Sequence, residues 1–282
     1  MSGYAYRIDC ARKSNGAHGW RMKMMIVFVF AVCLAASTIG GVCGIGGGVV
    51  IKPLLDATGV MSVSTVSFLS GLTVIAMSLI SVYKNRKTNE LDTRRSIPLG
   101  LGAAVGGVLG KRLFEVIKVA VGADQMVGMI QAIVLGLLVL GTLAYVRNKA
   151  RICPKNVQSR AVAVGIGLAL GMCSSFLGIG GGPMNLAVLY YFFSMGTKQA
   201  AVNSILIILI SQTMSLLVSL ITGSVPAFEL PVLAAMVCAG ALGGFVSAKL
   251  HKKLSAETTD KLFSGLLVVI ILICCYNALK WM

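Results

Sequence analysis

The 282-residue sequence has little charge, and very little of that charge is acidic. Only 12% of the residues are charged, and 9 Asp and Glu stand against 25 Lys and Arg, which gives a formal net charge of +16. Hydrophobic residues make up 57% and the mean hydropathy is +0.89, well above an ordinary soluble domain. The basic residues form short clusters between apolar segments, not a stripe on one helix face. We therefore predict a protein that lies in the lipid bilayer and does not bind nucleic acid.

The sequence also has few groups that support enzyme or metal chemistry. It has only two histidines, His18 and His251, and both lie in polar stretches. The eight cysteines show no CxxC spacing, and no carboxylate falls in the middle of an apolar segment. Paired carboxylates, a metal-ligand cluster and a nucleophile beside a base are not evident, so we predict a non-enzyme without cofactor or bound metal. The absence of a carboxylate in the middle of an apolar segment also argues against a proton relay inside the membrane.

Eight apolar segments are long enough to cross a bilayer, since a span needs about 20 residues. They lie at residues 24–55, 61–83, 97–117, 126–146, 161–194, 200–222, 229–248 and 262–281. Segments 24–55 and 161–194 would measure about 45–50 Å as straight helices, against a hydrocarbon core of about 30 Å. Each contains Gly-Ile-Gly-Gly-Gly, at residues 44–48 and 178–182. We predict an all-α polytopic membrane protein with about 8–10 crossings, in which each cluster breaks its segment into two short helices or a re-entrant hairpin.

The two halves of the chain align when they are displaced by about 134–137 residues. The two glycine clusters then meet, Gly106-Gly107 meets Gly243-Gly244, and Ser67 falls near Asn203. This pattern predicts two internal repeats. We divide the chain into a basic N-terminal tail (1–23), a first transmembrane repeat (24–146), a basic linker (147–160) and a second transmembrane repeat (161–282).

The two glycine clusters are the leading candidates for a binding site. Glycine costs about 1 kcal/mol against alanine inside a helix, and a helix break in lipid needs protein or a water-filled cavity around it. Helix ends that meet at such a break direct N–H groups and positive N-termini at one point, which favours an anion. The alternative is that these glycines serve only tight packing, as we predict for Gly100, Gly102, Gly106, Gly107 and Gly110. The predicted substrate-binding glycines are Gly46, Gly47, Gly48, Gly180, Gly181 and Gly182.

Polar residues near the breaks extend this candidate site. Ser67, Asn203 and Ser204 stand in apolar spans after the breaks, and Asn185 lies three residues past the second cluster. Their hydroxyl and amide groups can donate hydrogen bonds to an oxyanion. The alternative is an interhelical contact worth about 0.6 kcal/mol. We predict that valine at Gly47 or Gly181 abolishes activity and that Gly106→Ala is milder.

Several of these elements together resemble a known family. The resemblance rests on the duplicated clusters, on Pro183 after the second cluster, on Ala201-Val202-Asn203-Ser204, and on glycine-rich segments that end in Lys111-Arg112-Leu113 and Lys249-Leu250. Over about residues 24–281 the chain resembles the sulfite exporter TauE/SafE family, also called the toluene sulfonate uptake permease family. The resemblance implies a transporter of small sulfur-containing anions, such as sulfite, sulfoacetate or other organosulfonates, in a bacterial or archaeal cell membrane. Two features depart from the expected pattern. The first cluster continues as Gly48-Val49, where the second continues as Gly182-Pro183. Asn203 stands where members of the family often carry Gly-Thr-Ser.

The direction of transport follows from membrane energetics. A cytoplasm-negative potential drives an anion outward with about 2.3 kcal/mol per charge per 100 mV. The sequence shows no device for coupling an anion to another ion, so export is the predicted direction. Two alternatives stay open: a transporter or channel for a different small solute, including a metal or a thiol compound, and a non-transporting membrane scaffold. The sequence does not determine the oligomeric state.

The basic loops predict the topology. The loops at 84–95, 147–160 and 249–261 are all cytoplasmic only if segment 161–194 crosses an even number of times. An even count turns the second repeat upside down relative to the first, which gives an inverted repeat. Lys252 and Lys253 are then cytoplasmic and the C-terminus after Trp281 is outside. If segment 24–55 also crosses an even number of times, the basic N-terminal tail lies outside, against the charge rule.

Overall fold

The computed structural model describes the chain at residues 2–86, 88–121, 124–177, 179 and 181–280. Over these residues the fold is all-helical, as predicted, with ten α-helices and a short 3-10 turn at Lys149–Arg151. The helices are α1 Ser2–Cys43, α2 Gly48–Thr58, α3 Val63–Asn85, α4 Thr93–Val121, α5 Asp124–Asn148, α6 Arg160–Leu177, α7 Gly182–Phe193, α8 Thr197–Ile221, α9 Leu230–Lys253 and α10 Ala256–Lys280. The side chains of residues 2–22 and Trp281 lie outside the described part.

Eight of these helices contain a span that is long and apolar enough to cross a membrane. The eight spans follow the eight predicted segments. Each overlong segment supplies one span, at Lys23–Cys43 or Arg160–Leu177, followed by a short helix, α2 or α7. Large apolar side chains on the outer surface of the bundle face the lipid, among them Leu137 and Leu272, which are 65% and 64% exposed.

The chain reverses direction at both glycine clusters. Gly46 has φ +74° and Gly181 has φ +77°, which glycine adopts without strain. The first reversal brings Gly47 against Ser37, so α2 returns along α1. The second brings the end of α7 back to the start of α6, where the Val157 N–H donates to the carbonyl of Phe192 at 2.8 Å. Each overlong segment therefore forms a hairpin of one long and one short helix.

Small residues determine how the long helices pack. Gly41 lies against Ser247 and Gly243 against Ser37, so α1 and α9 pack closely and run in parallel. On the other side of the bundle, Gly102, Gly106 and Gly110 of α4 meet the backbone of α6, again in parallel. These approaches are the small-residue packing of membrane helices.

Corresponding helices of the two predicted repeats run in opposite directions. Gly46 lies beside Val74 and Ile208, while Gly71 faces Gln212, so α3 and α8 cross antiparallel. Helices α5 and α10 are also antiparallel, because Gly136 lies near Cys274 at one level and Lys149 pairs with Asp260 at another. An inverted repeat requires this arrangement.

The bundle has two faces with different charge. We call the face where α3, α5 and α9 end the basic face; it includes Lys84, Arg86, Arg94, Arg95, Lys149, Lys155, Lys198, Lys252 and Lys253. The opposite face carries the connections 59–62 and 222–229, which meet where Thr65 donates to the carbonyl of Ala227 at 3.1 Å. The short helices α2 and α7 run back along α1 and α6. The chain therefore enters and leaves the α1–α2 hairpin on one face, and it likewise enters and leaves the α6–α7 hairpin on one face.

Candidate functional site

A cavity of about 370 Å³ lies among α3, α4, α6 and α8 and reaches the 222–229 connection at the opposite face. Its lining is rich in hydroxyl groups, with seven serines: Ser64, Ser67, Ser174, Ser175, Ser215, Ser219 and Ser224. Gln131 of α5 and Gln212 of α8 add two amides. Hydroxyls and amides can bind either polar solutes or oxyanions, and they do so without a counter-charge.

Two charged residues of α4 line this cavity. Lys111 donates a hydrogen bond from Nζ to the hydroxyl of Ser219, which itself donates to the carbonyl of Ser215 at 2.8 Å. Glu115 lies one turn further along α4, toward the opposite face. The ammonium group of Lys111 is therefore held inside the cavity and the carboxylate stands nearer its mouth.

The two glycine clusters come together in the interior. Gly182 packs on the carbonyl of Ile45, and a Cβ added to Gly48 would lie 3.5 Å from the carbonyl oxygen of Ile179. The described cluster glycines Gly46, Gly47, Gly48, Gly181 and Gly182 are all buried, whereas Gly180 lies outside the described residues. The described parts of the two clusters thus pack against each other, and none of these five glycines lines the cavity.

The floor of the cavity connects it to the second cluster. Ser174 lines the cavity and also lies against Gly181. Asn185 is 2% exposed, and a Cβ added to Gly181 would lie 3.2 Å from its Oδ1, next to Ser174. Of the predicted polar site residues, Ser67 is the one that lines the cavity, and Asn185 lies beside Gly181 without lining it.

Asn203 has a different position from Ser67. It is completely buried in α8 and makes four hydrogen bonds toward the loop between α3 and α4 and within α8. Its Oδ1 accepts from Asp92 N at 2.8 Å and from Ser96 Oγ at 2.7 Å, and its Nδ2 donates to the carbonyls of Glu90 and Gln199, each at 2.7 Å. The amide of Asn203 is therefore fully used in holding the loop at the basic face.

The basic face is closed by further contacts of this loop. His251 of α9 is 3% exposed, and its Nε2 lies 3.1 Å from Glu90 Oε2. Its Nδ1 lies 3.3 Å from the carbonyl of Val42 near the end of α1. Ser204, next to Asn203, is fully buried, and its hydroxyl has no hydrogen-bond partner among the described residues.

A second polar cluster lies next to the cavity and contains none of the residues that the sequence selected for the site. Lys52 and Asp56 of α2 form an ion pair at 3.0 Å, and Lys52 also donates to Gln131 Oε1 at 3.2 Å. The side chains of Lys52 and Asp56 are only 5% and 12% exposed. Asp56 directly follows the predicted segment 24–55, but because α2 turns back into the bundle, the carboxylate lies among helices. Across the described residues no group of three or more His, Cys, Asp or Glu could hold a metal ion.

Comparisons with known proteins agree with this architecture. The sulfite exporter TauE/SafE family matches residues 29–273 of the chain. The "Probable membrane transporter protein YunE" of Bacillus subtilis (strain 168) is 25% identical over 274 aligned residues, which cover 88% of this chain and 96% of that protein. No solved structure matches the chain.

Proposed function

The chain belongs to the sulfite exporter TauE/SafE family of membrane transporters, and from this premise we propose that it carries small sulfur-containing anions, such as sulfite, sulfoacetate or other organosulfonates. It is an integral protein of the cell membrane. The observation that carries the proposal is the hydroxyl-rich cavity, which contains the ammonium group of Lys111. Serine hydroxyls and an ammonium can surround an oxyanion on several sides.

The proposed outer binding site is centred on Lys111. Its Nζ is already oriented by Ser219, so it can exchange or share that hydrogen bond with a sulfonate or sulfite oxygen. Ser67, Ser174 and Gln212 line the same cavity and supply neutral donors. Neutral donors suit a transporter because they bind the anion without holding it irreversibly.

The proposed path continues from the cavity floor past the two glycine breaks to the basic face. The N-termini of α2 and α7 begin at the clusters, where they direct positive helix ends inward. We assign the mid-membrane contacts to Gly46, Gly47, Gly48, Gly180, Gly181, Gly182 and Asn185. The breaks pack on each other in this structure, so such a site forms when the two halves move apart.

Unpartnered hydroxyls support the inner part of this path. Ser78 of α3 and Ser204 of α8 are fully buried, and neither hydroxyl has a partner among the described residues. Buried polar groups normally find a partner, and a passing oxyanion would supply an acceptor. We place Ser204 on the path and assign Asn203 to the loop that closes the basic face. Export remains the proposed direction for an anion that crosses alone, because the membrane potential drives it outward.

Ligand-induced stabilisation of purified protein tests the proposal. A ligand at 100 times its Kd adds about 2.7 kcal/mol of stability, so methanesulfonate, sulfite or thiosulfate should raise the unfolding temperature. Lys111→Met should lose most of this shift. Arg112→Met is the matched control, since Arg112 is exposed and does not line the cavity. If none of the three anions shifts the wild-type protein, the anion proposal is wrong.

A further inference from the structure

The buried pair of Lys52 and Asp56 has no role in the proposed anion path so far. Burying two charges costs several kcal/mol per ion before their attraction is counted. The pair lies in α2, the short helix that follows the first glycine cluster, and its nearest polar neighbours come from α5 and α10. Such a pair inside a membrane transporter calls for a functional explanation.

The cluster around this pair lacks a hydrogen-bond donor. Asp56 Oδ1 and Asn277 Oδ1 are buried acceptors without a partner among the described residues. The orientation of the Asn277 amide is fixed, because its Nδ2 donates to the carbonyl of Pro53 at 3.0 Å. Asp56 and Asn277 line the same small cavity of about 20 Å³, which is room for about one water molecule.

The chemistry of the cluster selects the missing ligand. A metal cation would sit beside the ammonium group of Lys52, which already shares the carboxylate of Asp56, and like charges at that distance repel. A proton supplies a donor and neutralises the carboxylate in the same step. The unpaired oxygens therefore fit a proton-binding site better than a metal site.

Gln131 connects this cluster to the larger cavity. It lines both cavities, accepts from Lys52 at Oε1, and donates from Nε2 to the carbonyl of Phe176 at 2.6 Å. Phe176 is one residue before the end of α6, just ahead of the second glycine cluster. The ammonium of Lys52 is thus one hydrogen bond away from the space where the anion is proposed to bind.

We propose that Asp56 binds a proton in step with the anion, an inference that rests on the proposed function. A proton from the solvent adds to the Asp56 carboxylate and the ion pair with Lys52 breaks. The freed ammonium then pairs with the anion across Gln131. One proton is taken up for each anion bound, no electrons move, and the anion balances the charge of the freed Lys52 ammonium.

This coupling changes what sets the direction of transport. A monoanion that crosses with one proton carries no net charge, so the membrane potential no longer acts on it. The gradients of anion and proton then decide between export and uptake. The structure thereby supplies the coupling device that the sequence did not reveal.

Other ionisable groups near the cluster are few. Cys274 of α10 is the titratable group that lines the small cavity together with Lys52 and Asp56, and the described lining residues from α3, α5 and α6 add none. Lys111 and Glu115 of α4 line the adjoining cavity. A test must therefore separate Asp56 from Glu115.

The test is the Kd of the purified protein for methanesulfonate between pH 6 and pH 8, since the charge of a sulfonate does not change in this range. Uptake of one proton per anion makes binding tighter as the pH falls, by up to about tenfold per pH unit. Asp56→Asn should bind tightly with no pH dependence. Lys52→Met combined with Asp56→Asn leaves no buried charge unpaired, and should fold and bind weakly with no pH dependence. Wild-type protein in weak buffer should take up close to one proton per anion bound.

Two control variants separate the possible outcomes. Glu115→Gln should keep the pH dependence, as should Lys149→Met combined with Asp260→Asn, an ion pair at the basic face. Anion binding that is independent of pH in wild-type protein overturns the proton site and leaves the proposed function intact. A pH dependence that disappears in Glu115→Gln but persists in the Lys52 and Asp56 double variant also overturns it. Failure of wild-type protein to bind any anion overturns both proposals.

Discussion

Gly106 has no room for a side chain where α4 packs on α6. A Cβ at this position would overlap the backbone carbonyl of Leu168. Gly102 and Gly110, one turn away on either side, meet the backbone of α6 in the same way. These backbone contacts agree with the predicted packing role of these glycines, and they imply that Gly106→Ala carries a cost in stability. Backbone contact between two helices cannot be recognised from the sequence of one of them.

Gly106→Ala should lower the free energy of unfolding by about 1–3 kcal/mol, the usual cost of overpacking. The matched control is Gly141→Ala, because a Cβ at Gly141 meets nothing within 4 Å. Alanine is also the better helix former by about 1 kcal/mol, so this variant should be neutral or stabilised. Thermal unfolding in detergent measures both. Equal stability of the two variants would contradict the close α4–α6 contact.

Gly181→Val should abolish transport while the protein still inserts into the membrane. Gly181 has φ +77° and lies against Ser174 at the cavity floor, so a β-branched side chain is both strained and obstructed. Gly196→Val is the control, since its φ of −68° suits valine and a Cβ there meets nothing within 4 Å. Normal transport by the Gly181 variant would place the anion path elsewhere.

Individual site residues could be predicted only in part. Ser67 was selected because it is polar within an apolar span, and it lines the cavity. Lys111 and Ser219 are 108 residues apart, and Lys52 and Gln131 are 79 apart, so no local pattern links them. Their proximity depends on how distant helices pack, which propensity and spacing do not specify.

The loop between α3 and α4 forms the seal at the basic face. Asn203 and His251 reach it from α8 and α9, while Glu90 of the loop contacts both. At the opposite face the corresponding 222–229 connection lines the cavity. The cavity therefore lies toward one face and the sealed loop at the other, an asymmetry that suits one state of an alternating-access transporter.

Asn203→Leu should loosen this seal because it removes all four hydrogen bonds of the amide. A cysteine introduced at the buried Ser78, in a background without other cysteines, reports the effect. A thiol reagent that does not cross membranes, applied from the basic face, should label it faster in the Asn203 variant. Asn148→Leu is the control, since that exposed amide donates only to the carbonyl of Ala144. Equal labelling rates would exclude Asn203 from the seal.

The helices were predictable because their signals are local. Length and hydropathy were enough to predict the eight spans, and α1 and α6 end at Cys43 and Leu177. The course of α2 was not predictable, since it depends on the chain reversing between Cys43 and Gly48. That reversal moves Asp56 from the expected segment end into the interior and creates the cluster with Lys52.

The whole bundle combines two hairpins with opposite orientation. The positive-inside rule places the basic face in the cytoplasm, and α10 then ends outside. Because both overlong segments return to the face where they began, we predict that the N-terminal end of α1 also lies outside, with the basic tail. The tail is then an exception to the charge rule, since the reversal at the first glycine cluster determines its side.

This topology predicts the side of each terminus. A cysteine introduced next to Lys253 should be labelled only from the cytoplasm. A reporter fused after the last residue should be active only when exported, and so should one fused to the N-terminus. A cytoplasmic C-terminus with Lys253 also cytoplasmic would contradict the antiparallel arrangement of α5 and α10.

Anion flux through the purified protein in liposomes tests the central claim most directly. Vesicles loaded with isotope-labelled methanesulfonate should lose it faster than protein-free vesicles, with saturation and with competition by sulfite and thiosulfate. Lys111→Met should slow this flux by about 10–100-fold, because a hydrogen bond to a charged group contributes about 1.5–3 kcal/mol, while Arg112→Met should transport normally. Flux equal to that of protein-free vesicles, for every sulfur-containing anion tried, would contradict the account.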